Sequence, residues 1–76
     1  MGHFRRLTAI IGREGSTYVS LCPELDIASQ GDTAEEARAN MVEALTLFFE
    51  TAADASEIEL RLHEEVFVTQ VEVPIG

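Results

Sequence analysis

The helix start at Thr33 is the feature of this sequence that most constrains its fold. Thr33-Ala34-Glu35-Glu36 has the pattern of a capping box, in which the Thr33 hydroxyl caps the backbone and Glu36 reaches back to the helix start. Apolar side chains then recur at i, i+4, i+7, i+8, i+11 and i+15, which is one face of a helix. They are Ala37, Met41, Ala44, Leu45, Phe48 and Ala52. The pattern predicts one long helix from 34 to about 53.

Before this helix the chain has the pattern of strands and turns. Residues 3–12 are rich in β-branched and aromatic side chains and predict a first strand. A hairpin turn at Gly12 to Gly15 leads to a second strand over 17–22. Pro23 cannot donate to a strand ladder, so it interrupts the pairing before a third strand over 25–30.

The part of the chain just after the long helix fits both a helix and a strand. Ser56-Glu57-Ile58-Glu59 is a second capping box and predicts a short helix over 57–62. Ile58, Leu60 and Leu62 also alternate as in a strand, so both readings stay open. Val66 to Val73 is rich in valine and predicts a final strand that Pro74 ends.

The order β-β-β-α-β predicts a single α+β domain over residues 1–76. We expect a three-stranded antiparallel meander with the long helix packed on one face of the sheet. The final strand is expected to return beside the first.

A chain of 76 residues is marginally stable on its own, because a domain of this size buries only about 60% of the surface that its unfolded form exposes. Cys22 is the only cysteine, which excludes a disulfide within the chain. His3 and His63 are far apart in sequence and do not predict a zinc site. We therefore expect a homodimer or a larger homo-oligomer.

The hydropathy pattern predicts a cytoplasmic protein. No apolar run approaches the ~18 residues that a membrane-spanning helix needs. The N-terminal residues lack the apolar stretch of a signal peptide.

Charge is the strongest indication of function. The chain carries fourteen carboxylates against five arginines, for a formal charge of −9. Such a surface repels phosphate backbones and favours a basic partner. The carboxylates of the third strand and the helix start are the candidate partner-binding residues, although they could serve solubility alone. These residues are Glu24, Asp26, Asp32, Glu35 and Glu36.

Enzymatic chemistry is not indicated by any motif. Cys22 has no histidine near it in sequence and is expected to be structural. Gly12 to Gly15 is a hairpin turn and not a phosphate-binding loop. We expect no catalytic residue, no cofactor and no metal.

Two segments together resemble the HicB-like antitoxin family. They are Tyr18-Val19-Ser20-Leu21-Cys22-Pro23-Glu24-Leu25-Asp26 and Ala28-Ser29-Gln30-Gly31-Asp32-Thr33-Ala34-Glu35-Glu36-Ala37. Asn40, Glu43-Ala44-Leu45 and Leu47 also match the helix of that family.

The resemblance implies a truncated ribonuclease-H-like fold and an antitoxin role. HicB-type antitoxins bind HicA-type toxins, which are small basic ribonucleases with a catalytic histidine. Full antitoxins carry a C-terminal DNA-binding segment, whereas this chain ends at Gly76, so we do not expect it to bind DNA directly. Short solitary members exist without an evident toxin, and an oligomeric scaffold or regulatory module is the alternative. Ribonuclease-H chemistry needs carboxylates on the first strand, and residues 3–11 contain none, so we expect no nuclease activity.

Overall fold

The computed structural model of the chain describes residues 4–51, 55–62 and 65–76. Its strands are β1 (Ile10–Glu14), β2 (Thr17–Cys22) and β3 (Ile27–Gly31), and its helices are α1 (Ala34–Thr51) and α2 (Ala55–Leu62). The strands form one antiparallel sheet in the order β1-β2-β3, and α1 packs on it. The α+β class, the meander and the long helix across one sheet face are thereby confirmed.

The β1–β2 hairpin is tight because Gly15 takes up a left-handed conformation. Glu14 pairs with Thr17, and Gly15 between them has φ +63°, which a residue without a side chain adopts freely. At the other end of the sheet Cys22 pairs with Ile27, and the chain turns through Pro23 to Asp26. The hairpin ends therefore lie at opposite ends of the sheet.

The core is small and lies between α1 and the inner face of the sheet. Its buried apolar residues are Cys22, Leu25, Ala37 and Met41. Leu7, Ile27, Leu45, Phe48, Phe49 and Leu62 pack around it and are partly buried. The predicted helical face is thus confirmed at Met41 and Leu45, whereas Ala52 lies outside the described residues.

Gly31 lets the start of α1 approach the sheet closely. A Cβ atom at Gly31 would lie 2.6 Å from the backbone nitrogen of Ala37 and 2.8 Å from the carbonyl carbon of Glu36. Asn40, one turn further along α1, donates a hydrogen bond of 2.7 Å from Nδ2 to the carbonyl oxygen of Gln30. The helix is consequently attached to β3, the edge strand that precedes it.

The capping box at the helix start is confirmed, with one difference. The Glu36 amide donates to the Thr33 hydroxyl at 3.0 Å, as expected. The Glu36 carboxylate accepts from the amide of Asp32, at 3.3 Å, one residue before the N-cap. The bond to Thr33 satisfies one of the amides that a helix start leaves without intrahelical partners, and the bond from Asp32 joins the helix to the residue before the cap.

The first strand begins and ends later than predicted. The prediction of 3–12 is wrong for residues 4–9, which precede β1 and belong to no strand, and His3 lies outside the described residues. One reason is the turn at Pro23: β2 ends at Cys22, which the register would place opposite Ala9, so residues before Ala9 have no partner on β2. At its other end β1 continues to Glu14, through residues that the sequence assigns to the turn. We call residues 4–9 the N-terminal segment.

The C-terminal part differs from the prediction at the final strand. The short helix is confirmed as α2, and the strand reading of 57–62 is wrong. Residues 66–73 belong to no strand, although their composition is that of one, because no described strand lies beside them. We call residues 65–76 the C-terminal tail.

Replacing Gly31 with alanine should destabilise the fold by about 1–3 kcal/mol, because the added methyl group meets the backbone of α1. Chemical unfolding followed by circular dichroism measures this. Gly12→Ala is the matched control: nothing lies within 4 Å of its added Cβ, so it should be neutral or stabilising by about 0.5 kcal/mol. Equal stability of the two variants would contradict the close packing of α1 on β3.

Candidate partner-binding surface

The five carboxylates proposed from the sequence do not form one cluster. Glu24 and Asp26 lie in the turn between β2 and β3, whereas Asp32, Glu35 and Glu36 lie beyond the far end of β3. β3 separates the two groups, and at about 3.3 Å per residue its length is roughly 13 Å. A single contact patch that included all five carboxylates would therefore have to extend along the whole length of β3.

Glu24, one of the candidate partner-binding residues, points inward and is engaged within the chain. Its two oxygens accept hydrogen bonds from the Thr8 amide at 3.2 and 3.0 Å, and Oε2 accepts from the Thr8 hydroxyl at 2.7 Å. The Cys22 thiol lies 3.6 Å from Oε1 as a further donor. Glu24 therefore attaches the N-terminal segment to the β2–β3 turn, and its role is structural.

These hydrogen bonds change the acidity of both groups. Partial burial raises the pKa of Glu24, but bonds from the Thr8 hydroxyl, from the amides of Glu24 and Thr8, and from Cys22 outweigh it, so the pKa is lowered from its ordinary value of 4.5. Burial, together with the nearby Glu24 carboxylate, raises the pKa of the Cys22 thiol. A protonated, buried thiol fits the structural role that the sequence predicts for Cys22.

Asp26 is exposed at the end of the same turn. Its φ of +55° lies in the left-handed region, which aspartate tolerates better than most residues. The neighbouring Leu25 is fully buried in the core, and this reversal of the chain turns Asp26 outward to solvent. Asp26 is thus available to a partner, whereas Glu24 is not.

A second acidic group lies where the helix begins, and the structure adds one residue to it. The register pairs Glu14 with Thr17 and Tyr18 with Gly31, so Glu14 lies at the same end of the sheet as Asp32. Glu14, Asp32, Glu35 and Glu36 are all exposed. We call these four residues the acidic end; sequence reasoning missed Glu14, which the hairpin register around Gly15 could have identified.

The acidic end is held in place by the fold. Glu36 is engaged in the cap, and Asp32 precedes the N-cap residue Thr33. The backbone dipole of α1 favours negative charge at this position. Of the acidic end, Glu14, Asp32 and Glu35 therefore have carboxylates directed to solvent at little cost to the fold.

A groove opens at the other end of the molecule, between the N-terminal segment and α1. It has a volume of about 1040 Å³. Its lining residues are Phe4, Arg5, Arg6, Leu7, Val42, Leu45, Thr46, Phe49 and Glu50. Its walls are the N-terminal segment, which leads into β1, and the C-terminal part of α1; the described lining contains no residue of β1 itself. We call it the β1–α1 groove.

The described residues contain no group of three or more His, Cys, Asp or Glu side chains arranged to hold a metal ion. Neither described helix combines the length and the apolar character needed to cross a membrane. The chain matches no protein-family model, and comparison with curated proteins and with solved structures finds no significant match.

Glu24→Gln should lower the free energy of unfolding at neutral pH by about 1–2 kcal/mol, because it replaces a charged acceptor of the Thr8 bonds. Since the pKa of Glu24 is depressed in the fold, its stabilisation is present above its ordinary value of 4.5 and is lost as the pH falls through the folded-state value. The gap between wild type and variant should therefore narrow below about pH 4.5. Urea unfolding at several pH values measures it.

Asp26→Asn is the control for that experiment. It removes the same charge from the same turn, but its side chain is exposed, and asparagine also tolerates a positive φ. We expect little change in stability at neutral pH. If Glu24→Gln behaves like Asp26→Asn, Glu24 does not anchor the N-terminal segment.

Proposed function

We propose that this chain is a HicB-like, antitoxin-type binding protein that acts in the cytoplasm. In this proposal it neutralises a small basic HicA-like ribonuclease by direct contact between the two proteins. The observation that carries the proposal is the acidic end, where Glu14 at the hairpin and Asp32 and Glu35 at the capped helix start present exposed carboxylates.

Charge supports a basic partner. The net charge of −9 steers a positively charged protein toward this chain and raises the association rate. The same charge opposes contact with the RNA substrate of a ribonuclease. An inhibitor with this surface would therefore compete with RNA for a basic, RNA-binding face.

The position of the acidic end supports binding without a large conformational cost. Gly31 and the bond from Asn40 to Gln30 fix α1 on β3, and the cap fixes the turn before it. Side chains on such a preorganised frame lose less entropy on binding than those on a mobile loop. This favours Asp32 and Glu35 over the C-terminal tail as the contact with the basic partner.

The fold of this proposal includes a fourth strand. Residues 66–73 would pair beside β1 and complete the truncated ribonuclease-H-like arrangement that the resemblance implies. The free edge of β1 and the adjacent β1–α1 groove support this placement, since a strand added there would lie under the open side of α1.

The alternative is a solitary oligomeric scaffold or regulatory module without a toxin. The β1–α1 groove favours it, because an apolar groove at an unpaired sheet edge suits self-association. The gene neighbourhood discriminates the two: a short basic reading frame next to this gene supports the antitoxin, and its absence supports the scaffold.

Charge reversal at the acidic end should slow association with the basic partner. The probe is a small basic HicA-like protein, mixed with wild type or with Asp32→Lys/Glu35→Lys in a stopped-flow instrument at several salt concentrations. Screening over a Debye length of about 8 Å at physiological salt should lower the wild-type rate as salt rises, and the double variant should associate about ten-fold more slowly at low salt.

Glu43→Lys/Glu50→Lys is the matched control, because it makes the same charge change at exposed residues of α1 outside the acidic end. It should slow association less than the double reversal at the acidic end. Circular dichroism should confirm that both variants remain folded. Equal rates for the two double variants would place the contact elsewhere and leave the acidic end with a solubility role.

No divalent-metal-dependent nuclease activity is expected from the purified chain on RNA, DNA or hybrids. β1 carries one carboxylate, Glu14, which lies exposed at the hairpin end and not in the middle of the sheet. Two-metal hydrolysis needs several carboxylates around a central strand. Incubation with Mg²⁺ or Mn²⁺ checks this, and turnover that Asp26→Asn or Asp32→Asn abolishes would contradict it.

A further inference from the structure

The C-terminal tail has the side-chain pattern of a two-faced strand. One face of the strand would carry Phe67, Thr69, Val71 and Val73. The other face would carry Val66 and Val68, followed by Gln70 and Glu72. The tail belongs to no helix or strand, and the hydrogen bond described for its backbone is local, from the Thr69 hydroxyl to the carbonyl oxygen of Gln70 at 3.4 Å. It is therefore a strand-forming segment whose ladder is unpaired.

The apolar face of the tail that bears Phe67 is largely exposed. Phe67 is 84% exposed, Val71 78% and Val73 66%, whereas Val66 at the start of the tail is 36% exposed. The molecule measures 51 × 28 × 20 Å with a radius of gyration of 14.7 Å. A compact chain of this length has a radius of about 11 Å, so the tail extends away from the domain. An exposed apolar strand of this kind is covered by a partner or aggregates.

The surface that would accept the tail is present on this same protein. β1 is an edge strand, and the N-terminal segment continues that edge with one described backbone bond, from the Thr8 amide to Glu24. Beside this edge the β1–α1 groove presents Leu7, Leu45 and Phe49. A strand added to the edge would satisfy the free backbone groups and cover the groove in one step.

The charges that line the groove favour the tail of this protein over a strand from a basic partner. Arg5 and Arg6 line the groove together with one carboxylate, Glu50. The face of the tail that bears Phe67 carries Glu65 and no basic residue, whereas Glu72 lies on the other face. A strand from a basic partner would place like charges together, but a tail from this chain places opposite charges together.

The tail's lack of pairing with its own sheet indicates a second copy. Leu62 packs on the core and Arg5 pairs with Glu59 at 3.2 Å, which holds α2 beside the N-terminal segment. The described tail is not a strand of the sheet that contains its own β1, and the molecule is elongated to 51 Å along its longest axis.

We propose that the C-terminal tail of one copy adds as a strand to the N-terminal segment and β1 of a second copy, with the Phe67, Val71 and Val73 face over the β1–α1 groove. The exchange is reciprocal, so a two-fold dimer closes and leaves neither tail free. The inference rests on the proposed fourth strand, but here that strand comes from the second copy. It does not depend on the contact with a toxin.

Light scattering on the full chain tests the dimer. Wild type should have a dimeric mass at micromolar concentrations. Val71→Asp should raise the dimer dissociation constant about ten-fold or more, because it buries a charge in the groove. Gln70→Asp introduces the same side chain on the opposite face and should leave the dimer intact. Both sites are exposed in the single chain, so neither should unfold the domain.

A second pair of variants tests the receiving groove. Val42 lines the groove and is 52% exposed, whereas Leu47 lies on the same helix outside the lining and is 57% exposed. Val42→Asp should weaken the dimer as Val71→Asp does, and Leu47→Asp should not. A monomeric wild type, or a dimer that tolerates both Val42→Asp and Val71→Asp, overturns the inference.

Cross-linking identifies which copy supplies the strand. Cys22 is buried, so a short bismaleimide reagent should join new cysteines at Val42→Cys and Val71→Cys. Two single variants, distinguished by tag size and refolded together, should give a covalent product that contains one chain of each. Cross-linking confined within one chain of the V42C/V71C double variant overturns the exchange but retains the fourth strand. Absence of both products overturns the exchange and the fourth strand together.

Discussion

Helix α1 starts in direct contact with the backbone of β3, and this close approach requires a residue without a side chain at Gly31. The Thr33 cap and the bond from Asn40 to Gln30 hold the helix at that position. Ser20 and Cys22 on the inner face of β2 are small, which lets the buried Met41 approach the middle of the sheet. The position of the helix over the sheet is therefore determined at its first two turns.

That position has consequences at both ends of the molecule. Near β3 the helix start brings Asp32 and Glu35 to the same end of the sheet as Glu14, which produces the acidic end. At the other end, the N-terminal segment and the C-terminal part of α1 enclose the β1–α1 groove. The two ends thus offer a polar surface suited to a basic partner and an apolar surface suited to a strand.

The inward orientation of Glu24 connects these regions. Its carboxylate holds Thr8, and through Thr8 the N-terminal segment that forms one wall of the groove. The buried core is small, and the Ser20 hydroxyl lies within it without a hydrogen-bond partner among the described residues, which costs about 1–3 kcal/mol. A domain with so small a core gains proportionally more from covering its groove than a large domain does.

The sequence alone determined the order of the elements, because alternation, helical periodicity and capping are local properties of the chain. The three strands, the start of α1 at Thr33 and the buried face through Ala37 and Met41 could all be predicted from it. Only the tertiary structure showed that residues 4–9 and 66–73, whose sequences are typical of strands, are not paired in the sheet. A strand requires a neighbouring strand, which its own sequence cannot specify. The candidate carboxylates divide in the same way. Their number follows from composition, but the inward turn of Glu24 and the grouping of Glu14 with Asp32 depend on side chains meeting across the sheet.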